Sequence, residues 1–156
     1  MLRKEGFSGL LFILSGILMA VSTLVPYIHI MIDFGIGEVT DQRVSMMPSF
    51  TGFLILILGI ATIIIFAMGL KDKALFLVAA AFIFNVYQII KIGISKGQVE
   101  SLGNAYNDIV SSLAVPGSSP VPAEIAVNFM PGFYILIVAT VLMTVFGFAY
   151  ATSEES

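Results

Sequence analysis

The chain has 156 residues, of which 58% are hydrophobic and 11% are charged, and its formal net charge is −3. Soluble domains are usually about 45–50% apolar and about 25% charged, so this composition excludes an ordinary soluble domain and predicts an integral membrane protein. The seven Lys and Arg residues are dispersed and there is no Cys. Nucleic-acid binding is therefore not supported, and disulfides, thiolate metal sites and Cys nucleophiles are excluded.

Four uncharged runs are long enough for membrane-spanning helices, which need about 20 mostly apolar residues. They predict spans at about 7–30, 49–70, 74–92 and 131–152 within a single domain, 1–156. The third run is short, and Lys73 and Lys91 lengthen it because their ammonium groups reach towards water. We expect the first span to be retained rather than cleaved as a signal peptide. The predicted fold class is all-α, an integral membrane four-helix bundle with an extracytoplasmic amphipathic helix between helices 3 and 4.

The first connection, at about 31–48, is predicted to be an outer loop, and it contains Gly and acidic residues. Pro26 weakens the end of the first helix, and Pro48 marks the start of the second. His29, the only histidine, is predicted to be an interfacial ring. It lacks the neighbouring ligands that a metal site needs, while a pH-sensing role is the alternative.

The intramembrane polar residues are Asn85, Gln88 and Lys91, which spread over about 120° of the third helix. Asn85 and Gln88 are predicted to face the bundle interior and to hydrogen-bond to other helices. The alternative is that these two amides face a conduction or substrate pathway. Lys91 is predicted to lie at the membrane interface. Small residues four or seven apart predict close helix packing: Gly16 with Ala20, Gly52 with Gly59, Thr140 with Thr144, Gly147 with Ala151, and Gly93 with Gly97.

The second connection, at about 93–130, contains a regular apolar stripe. Its residues recur at intervals of 3, 4, 3 and 4: Val99, Leu102, Tyr106, Ile109 and Leu113. This spacing predicts a helix over about 99–113 that either continues helix 3 or restarts after Gly97. The stripe is predicted to be buried, either on the chain's own outer loops or lipid surface, or on another subunit or partner protein. The opposite face, which includes Asn104 and Asn107, is predicted to face water.

Three prolines between 116 and 122 then turn the chain. Ser118 or Ser119 is expected to cap a short helix that contains Glu124. Pro131 is placed near the start of helix 4, where the first helical turn tolerates proline.

Orientation follows from the basic residues beside the spans, which favour the cytoplasmic side. With the N-terminus inside, the short inner segments hold four basic residues and the longer outer loops hold three: Arg3, Lys4, Lys71 and Lys73 inside, and Arg43, Lys91 and Lys96 outside. We therefore expect both termini to be cytoplasmic. The absence of cysteine suits the cytoplasmic membrane of a bacterium.

The layout resembles a group of small bacterial four-span membrane proteins of unassigned function. The resemblance lies in a first span that closes on LVPYI, a Gly-containing loop, a basic KDK hinge and a last span that opens with PGFYILIVATVLM. The arrangement of loops is also similar to that of claudins and tetraspanins, without their cysteine signatures. The resemblance implies a four-span topology and assigns no functional residue.

No catalytic motif is present: G-x-S-x-G, H-E-x-x-H and P-loop patterns are all absent. The leading hypothesis is therefore a non-enzymatic accessory or scaffold protein that acts by association, with the apolar stripe as its partner-binding surface. Its expected partners are the lipid bilayer and another membrane protein, or further copies of itself. The alternative is a small oligomeric channel or transporter subunit, and a membrane enzyme or immunity-type protein ranks third. No cofactor, metal or nucleic acid is expected.

Overall fold

The computed structural model describes residues 4–35, 39–113 and 123–153. All four helices are long and apolar enough to cross a membrane, which supports the predicted membrane class. The elements follow one another along the chain as α1 (Lys4–Leu24), β1 (Ile28–Asp33), β2 (Val39–Val44), α2 (Phe50–Ala67), α3 (Lys71–Ser112), β3 (Glu124–Phe129) and α4 (Pro131–Thr152).

The all-α prediction is wrong in one respect, because the three strands form an antiparallel sheet in the order β2-β1-β3. The first helix ends at Leu24 rather than near residue 30, since Pro26 cannot donate the backbone hydrogen bond that a helix needs. The predicted loop 31–48 instead holds the end of β1 and all of β2. Glu124 begins a strand, not a short helix, while Ser118 and Ser119 lie outside the described residues.

The sheet stands on one end of the helix bundle. Ile28 of β1 lies opposite Val44 and Phe129, and Asp33 at the other end of β1 lies opposite Val39 and Glu124. The three strand ends in the first row connect directly to α1, α2 and α4, so this row is the one next to the bundle. We call this end of the molecule the sheet end. The opposite end, where α2 turns into α3, is called the turn end.

Backbone hydrogen bonds hold the sheet to the bundle. The Tyr27 N–H donates to the Val44 carbonyl at 2.9 Å, and the Tyr27 carbonyl accepts from the Met130 N–H at 2.9 Å. The Gly132 N–H donates to the Pro26 carbonyl at 3.0 Å. Because these bonds join the segment before β1 to the end of β2 and to the start of α4, the sheet and the ends of the helices form one structure. Burial raises the pKa of the Tyr27 hydroxyl.

Small residues allow the helices to approach closely, as their spacing predicted. A Cβ on Gly59 of α2 would lie 2.6 Å from the carbonyl oxygen of Gly16 in α1, so these two helices cross with their backbones in contact. A Cβ on Gly147 of α4 would lie 2.5 Å from the Val78 side chain of α3. In contrast, Gly93 and Gly97 both face open space. The prediction of close helix packing is therefore confirmed for Gly16 and Gly147 and is wrong for the pair Gly93 and Gly97.

Candidate functional site

Helix α3 is far longer than a membrane span. Its 42 residues correspond to about 63 Å at 1.5 Å per residue, whereas the hydrocarbon core of a bilayer is about 30 Å thick. The second half of α3 therefore extends beyond the bundle at the sheet end. Residues 99–112 are helical, and they continue α3 without a break, so the separate amphipathic helix between spans is not supported.

The projecting half of α3 packs against β3. Gly103 is buried, and a Cβ at this position would collide with the Ile125 side chain. The Asn107 carboxamide accepts from the Ala123 N–H at 2.8 Å and donates to the Ala123 carbonyl at 3.0 Å. Nearer the bundle, the Lys96 ammonium lies 5.4 Å from the centre of the Phe129 ring. The face of α3 that contacts the sheet is therefore formed by small and polar residues.

The prediction that the apolar stripe is buried is wrong within this chain for four of its five residues, since only Val99 is partly buried. Leu102 is 71% exposed, Ile109 57% and Leu113 75%. Tyr106 is 43% exposed and contacts the Phe34 ring edge to face, with ring centres 5.5 Å apart. At 100° per residue, the stripe is centred about 100° around the helix from the face that contacts β3.

The reason for this offset lies in the packing face itself. Gly103 brings the helix backbone close to β3, and Asn107 satisfies both backbone groups of Ala123. Neither Gly103 nor Asn107 contributes to an apolar pattern. The apolar stripe, which is the most regular pattern in this segment, therefore does not mark the face that contacts the sheet. Asn107, which was predicted to face water, instead makes the contact that holds the projecting helix to the start of β3.

The apolar stripe forms one wall of a groove, which we call the sheet groove. Its volume is about 350 Å³, and its floor is the part of the α3-facing side of the sheet that α3 does not cover. Val99, Leu102 and Tyr106 of the stripe line the wall, while Ile109 and Leu113 continue it beyond the groove. The remaining lining residues are Ile30, Ile32, Phe34, Gln42, Gly103 and Ile125. The groove and the stripe together make a contiguous apolar surface outside the span of α3.

The opposite face of the sheet is polar. The His29 Nε2 atom on β1 lies 2.5 Å from the Asp41 Oδ1 atom on β2, and Arg43 is directly opposite His29 in the strand register. His29 is thus a strand residue paired with a carboxylate, and its location at the membrane interface stays a prediction. Within the part of the chain that the structure describes, no three potential metal-ligating side chains cluster together.

Asn85 and Gln88 lie inside the bundle, with exposures of 0% and 3%, as predicted. The predicted hydrogen bonds to other helices are not formed by Asn85 Oδ1, Asn85 Nδ2 or Gln88 Oε1, which have no partner among the described residues. Lys91 is exposed, and its place at the interface stays a prediction. The structure therefore places the two amides in the core and Lys91 on the surface.

The sheet was missed from the sequence although it leaves a signal. Ile28, Ile30 and Ile32 alternate with polar or less buried residues, and Ile125 and Val127 do the same in β3. Alternation of this kind, with β-branched residues, is typical of half-buried strands. No comparable sequence signal marks Asn107, because its role depends on hydrogen bonds to Ala123, 16 residues later in the chain.

No protein-family model, no curated protein and no solved structure matches this chain. The function is therefore inferred from the residues described above.

Proposed function

We propose that this chain is a non-enzymatic accessory or scaffold protein of the bacterial cytoplasmic membrane. It acts by association with another membrane protein or with further copies of itself. The observation that supports this proposal is the apolar stripe on the projecting half of α3, which lies beside the sheet groove and is largely exposed. The protein contacts its partner through this surface.

Association at this surface would be favourable because a partner would remove its apolar area from water. Leu102, Ile109 and Leu113 are each more than half exposed, and fully burying one such side chain contributes about 1.5–3 kcal/mol. Leu102 and Tyr106 also form the wall of a concave surface, where a partner can exclude water more completely than on a flat one. Association at this surface is thus favoured without any change in the sheet.

Lipid is a less suitable occupant of the stripe than protein. Helices that lie on anionic bilayers usually carry Lys or Arg on their polar face, whereas this segment exposes Glu100 and Asp108. The bonds between Asn107 and Ala123 also tie the helix to the end of β3 that is farther from the bundle. The segment therefore stands away from the bundle rather than lying across it.

The proposed orientation places the sheet end outside the cell and both termini in the cytoplasm. Lys71 and Lys73 lie at the turn end, where α1 begins, and Arg3 and Lys4 are next to the start of α1 in the sequence. This placement agrees with the preference of basic residues for the cytoplasmic side. The partner surface then faces the extracytoplasmic space.

The alternative function, an oligomeric channel or transporter subunit, has less support. A pathway between subunits needs polar groups on the outside of each bundle, but Asn85 and Gln88 are buried inside one chain. A pathway lined by them would have to pass through the middle of the four helices, where Met19, Leu136 and Met143 are fully buried. No observation favours this alternative over association.

The proposal is tested with Ile109→Asp and its matched control Ser111→Asp, which adds the same charge to another exposed position two residues away. Because Ile109 is exposed, we expect both variants to keep the melting temperature of the wild-type protein. The partner, or the second copy, should be retained in mild detergent by the wild type and the control and lost by Ile109→Asp. A co-purifying protein is then produced separately and must show the same pattern in direct binding. Equal binding and equal oligomeric state of all three chains would show that the stripe is not the partner surface.

A further inference from the structure

Asn85 and Gln88 form a pair of buried carboxamides one helical turn apart. Residues three positions apart on a helix have Cβ atoms about 5–6 Å from each other. Three polar atoms of this pair are buried without a hydrogen-bond partner among the described residues: Asn85 Oδ1, Asn85 Nδ2 and Gln88 Oε1. Buried polar groups in proteins almost always have a partner, which is protein or ordered water.

Buried hydroxyls of the neighbouring helices do not donate to this pair. Ser15 donates to the Phe12 carbonyl at 2.6 Å, and Thr140 donates to the Leu136 carbonyl at 2.7 Å. The Ser15 hydroxyl also lies 3.7 Å from the Met143 sulfur on α4, so neither hydroxyl proton is directed at the carboxamides. The oxygen of a bonded hydroxyl keeps acceptor capacity, so these groups can still accept a hydrogen bond from a guest molecule.

The depth of the pair follows from the helix register. Val78 of α3 lies at the level of Gly147 of α4, since the two are in contact across antiparallel helices. Seven residues towards the sheet end is about 10 Å along either helix, and that step leads to Asn85 on α3 and Thr140 on α4. The carboxamides and a buried acceptor oxygen are thus at the same depth, well inside the bundle.

We propose that Asn85 and Gln88 form a binding site for ordered water inside the bundle. A water molecule has two donors and two acceptor positions, so it can donate to the two carboxamide oxygens and accept from the Asn85 amide. A second chain cannot supply these bonds, because the exposures are 0% and 3%. A hard cation would need six or more oxygen ligands, often including carboxylates, and three such acidic or histidine groups do not meet anywhere in the described residues.

This inference is independent of the proposed function and is tested on the unmodified full chain in bilayers. Solid-state NMR with polarisation transferred from water should give a signal for the Asn85 side-chain amide. The exposed Asn104 amide serves as the positive control, and the backbone N–H of fully buried Ala139 as the negative control. We expect Asn85 to gain polarisation from water and Ala139 to gain none. An Asn85 signal as weak as that of Ala139 would overturn the site.

Two further measurements distinguish bound water from unpaired amides and from a bound ion. If the amide atoms truly lacked partners, Asn85→Leu would remove their unfavourable burial and raise the melting temperature. With water bound, we expect the melting temperature of this variant to be equal to or below that of the wild type, so a rise contradicts the proposal. Replacing Na⁺ by K⁺ or by choline at constant ionic strength should leave the Asn85 side-chain resonances unchanged. A shift with one of the cations would identify an ion, not water, as the ligand.

Discussion

Replacing Asn107 with Leu should release the projecting half of α3 from the sheet. In the structure, the Asn107 carboxamide makes two hydrogen bonds to the backbone of Ala123, at 2.8 and 3.0 Å. Ala123 is only 4% exposed, so its N–H and C=O groups would be left without these partners in a largely buried position. Leu has a similar length but can neither donate nor accept.

The magnitude follows from the two lost bonds. A net hydrogen bond contributes about 0.5–1.5 kcal/mol, so losing both costs about 1–3 kcal/mol. A change of about 1–3 kcal/mol corresponds to roughly a 5- to 150-fold change in an equilibrium constant. We expect the opening of the segment around Asn107 and β3 to become more frequent by this factor.

Hydrogen–deuterium exchange of the protein in detergent or nanodiscs measures this opening directly, because local opening controls amide exchange. Peptides covering 103–112 and 124–129 should exchange faster in Asn107→Leu, while peptides from α1 and α4 should not change. The matched control is Asn104→Leu, the same substitution at an exposed position one turn away, and it should leave exchange unchanged. Wild-type protection in the Asn107 variant, or equal effects of both variants, would refute the role of these two bonds.

Three other results are expected. Gly59→Ala places a methyl group 2.6 Å from a backbone oxygen of α1 and should lower the free energy of unfolding by about 1–3 kcal/mol. Gly97 faces open space, so Gly97→Ala should not lower it. Thermal unfolding followed by circular dichroism tests both variants. Burial raises the pKa of Tyr27 above its ordinary value of 10.0, so its contribution to stability is complete below about pH 10 and is lost as the pH rises through the raised pKa; Tyr27→Phe should reduce the alkaline fall in melting temperature. In intact cells, an impermeant maleimide should label Ser101→Cys and not Asp72→Cys, and the reverse pattern would overturn the proposed orientation.

The positions of the helices could be predicted from the sequence because charged residues and prolines mark their ends. Lys71 is the first residue of α3, and Pro131 is the first residue of α4, where the tolerance of the first helical turn for proline also predicted its start. Ser49 precedes α2 and accepts from the Gly52 N–H at 3.0 Å, next to the proline that marked this boundary. A long apolar run leaves no competing structure in a bilayer, since every backbone group must be satisfied within the segment.

The sheet and the contact face of α3 could not be predicted in the same way. The strands are only six residues long. Because β1 follows soon after the first span, its isoleucines were included in the predicted first helix. β2 is exposed over most of its length and has no apolar face to identify it. The contact between Gly103 and Ile125 and the bonds of Asn107 join segments about 16–22 residues apart. Such contacts depend on tertiary structure, which local periodicity does not encode.

Helix α3 is continuous from Lys71 to Ser112, so its two halves cannot move independently. The projecting half of α3, which carries the apolar stripe, is about 30 Å long. A tilt of α3 by roughly 10° relative to the bundle would therefore displace the far end of the helix by about 5 Å. The half of α3 between α2 and α4 would move in the opposite direction, and Asn85 and Gln88 would move with it because they belong to this half. If the proposed partner binds at the sheet groove and tilts α3, the contacts of α3 inside the bundle must change as well, and a rearrangement inside the bundle must move the groove wall.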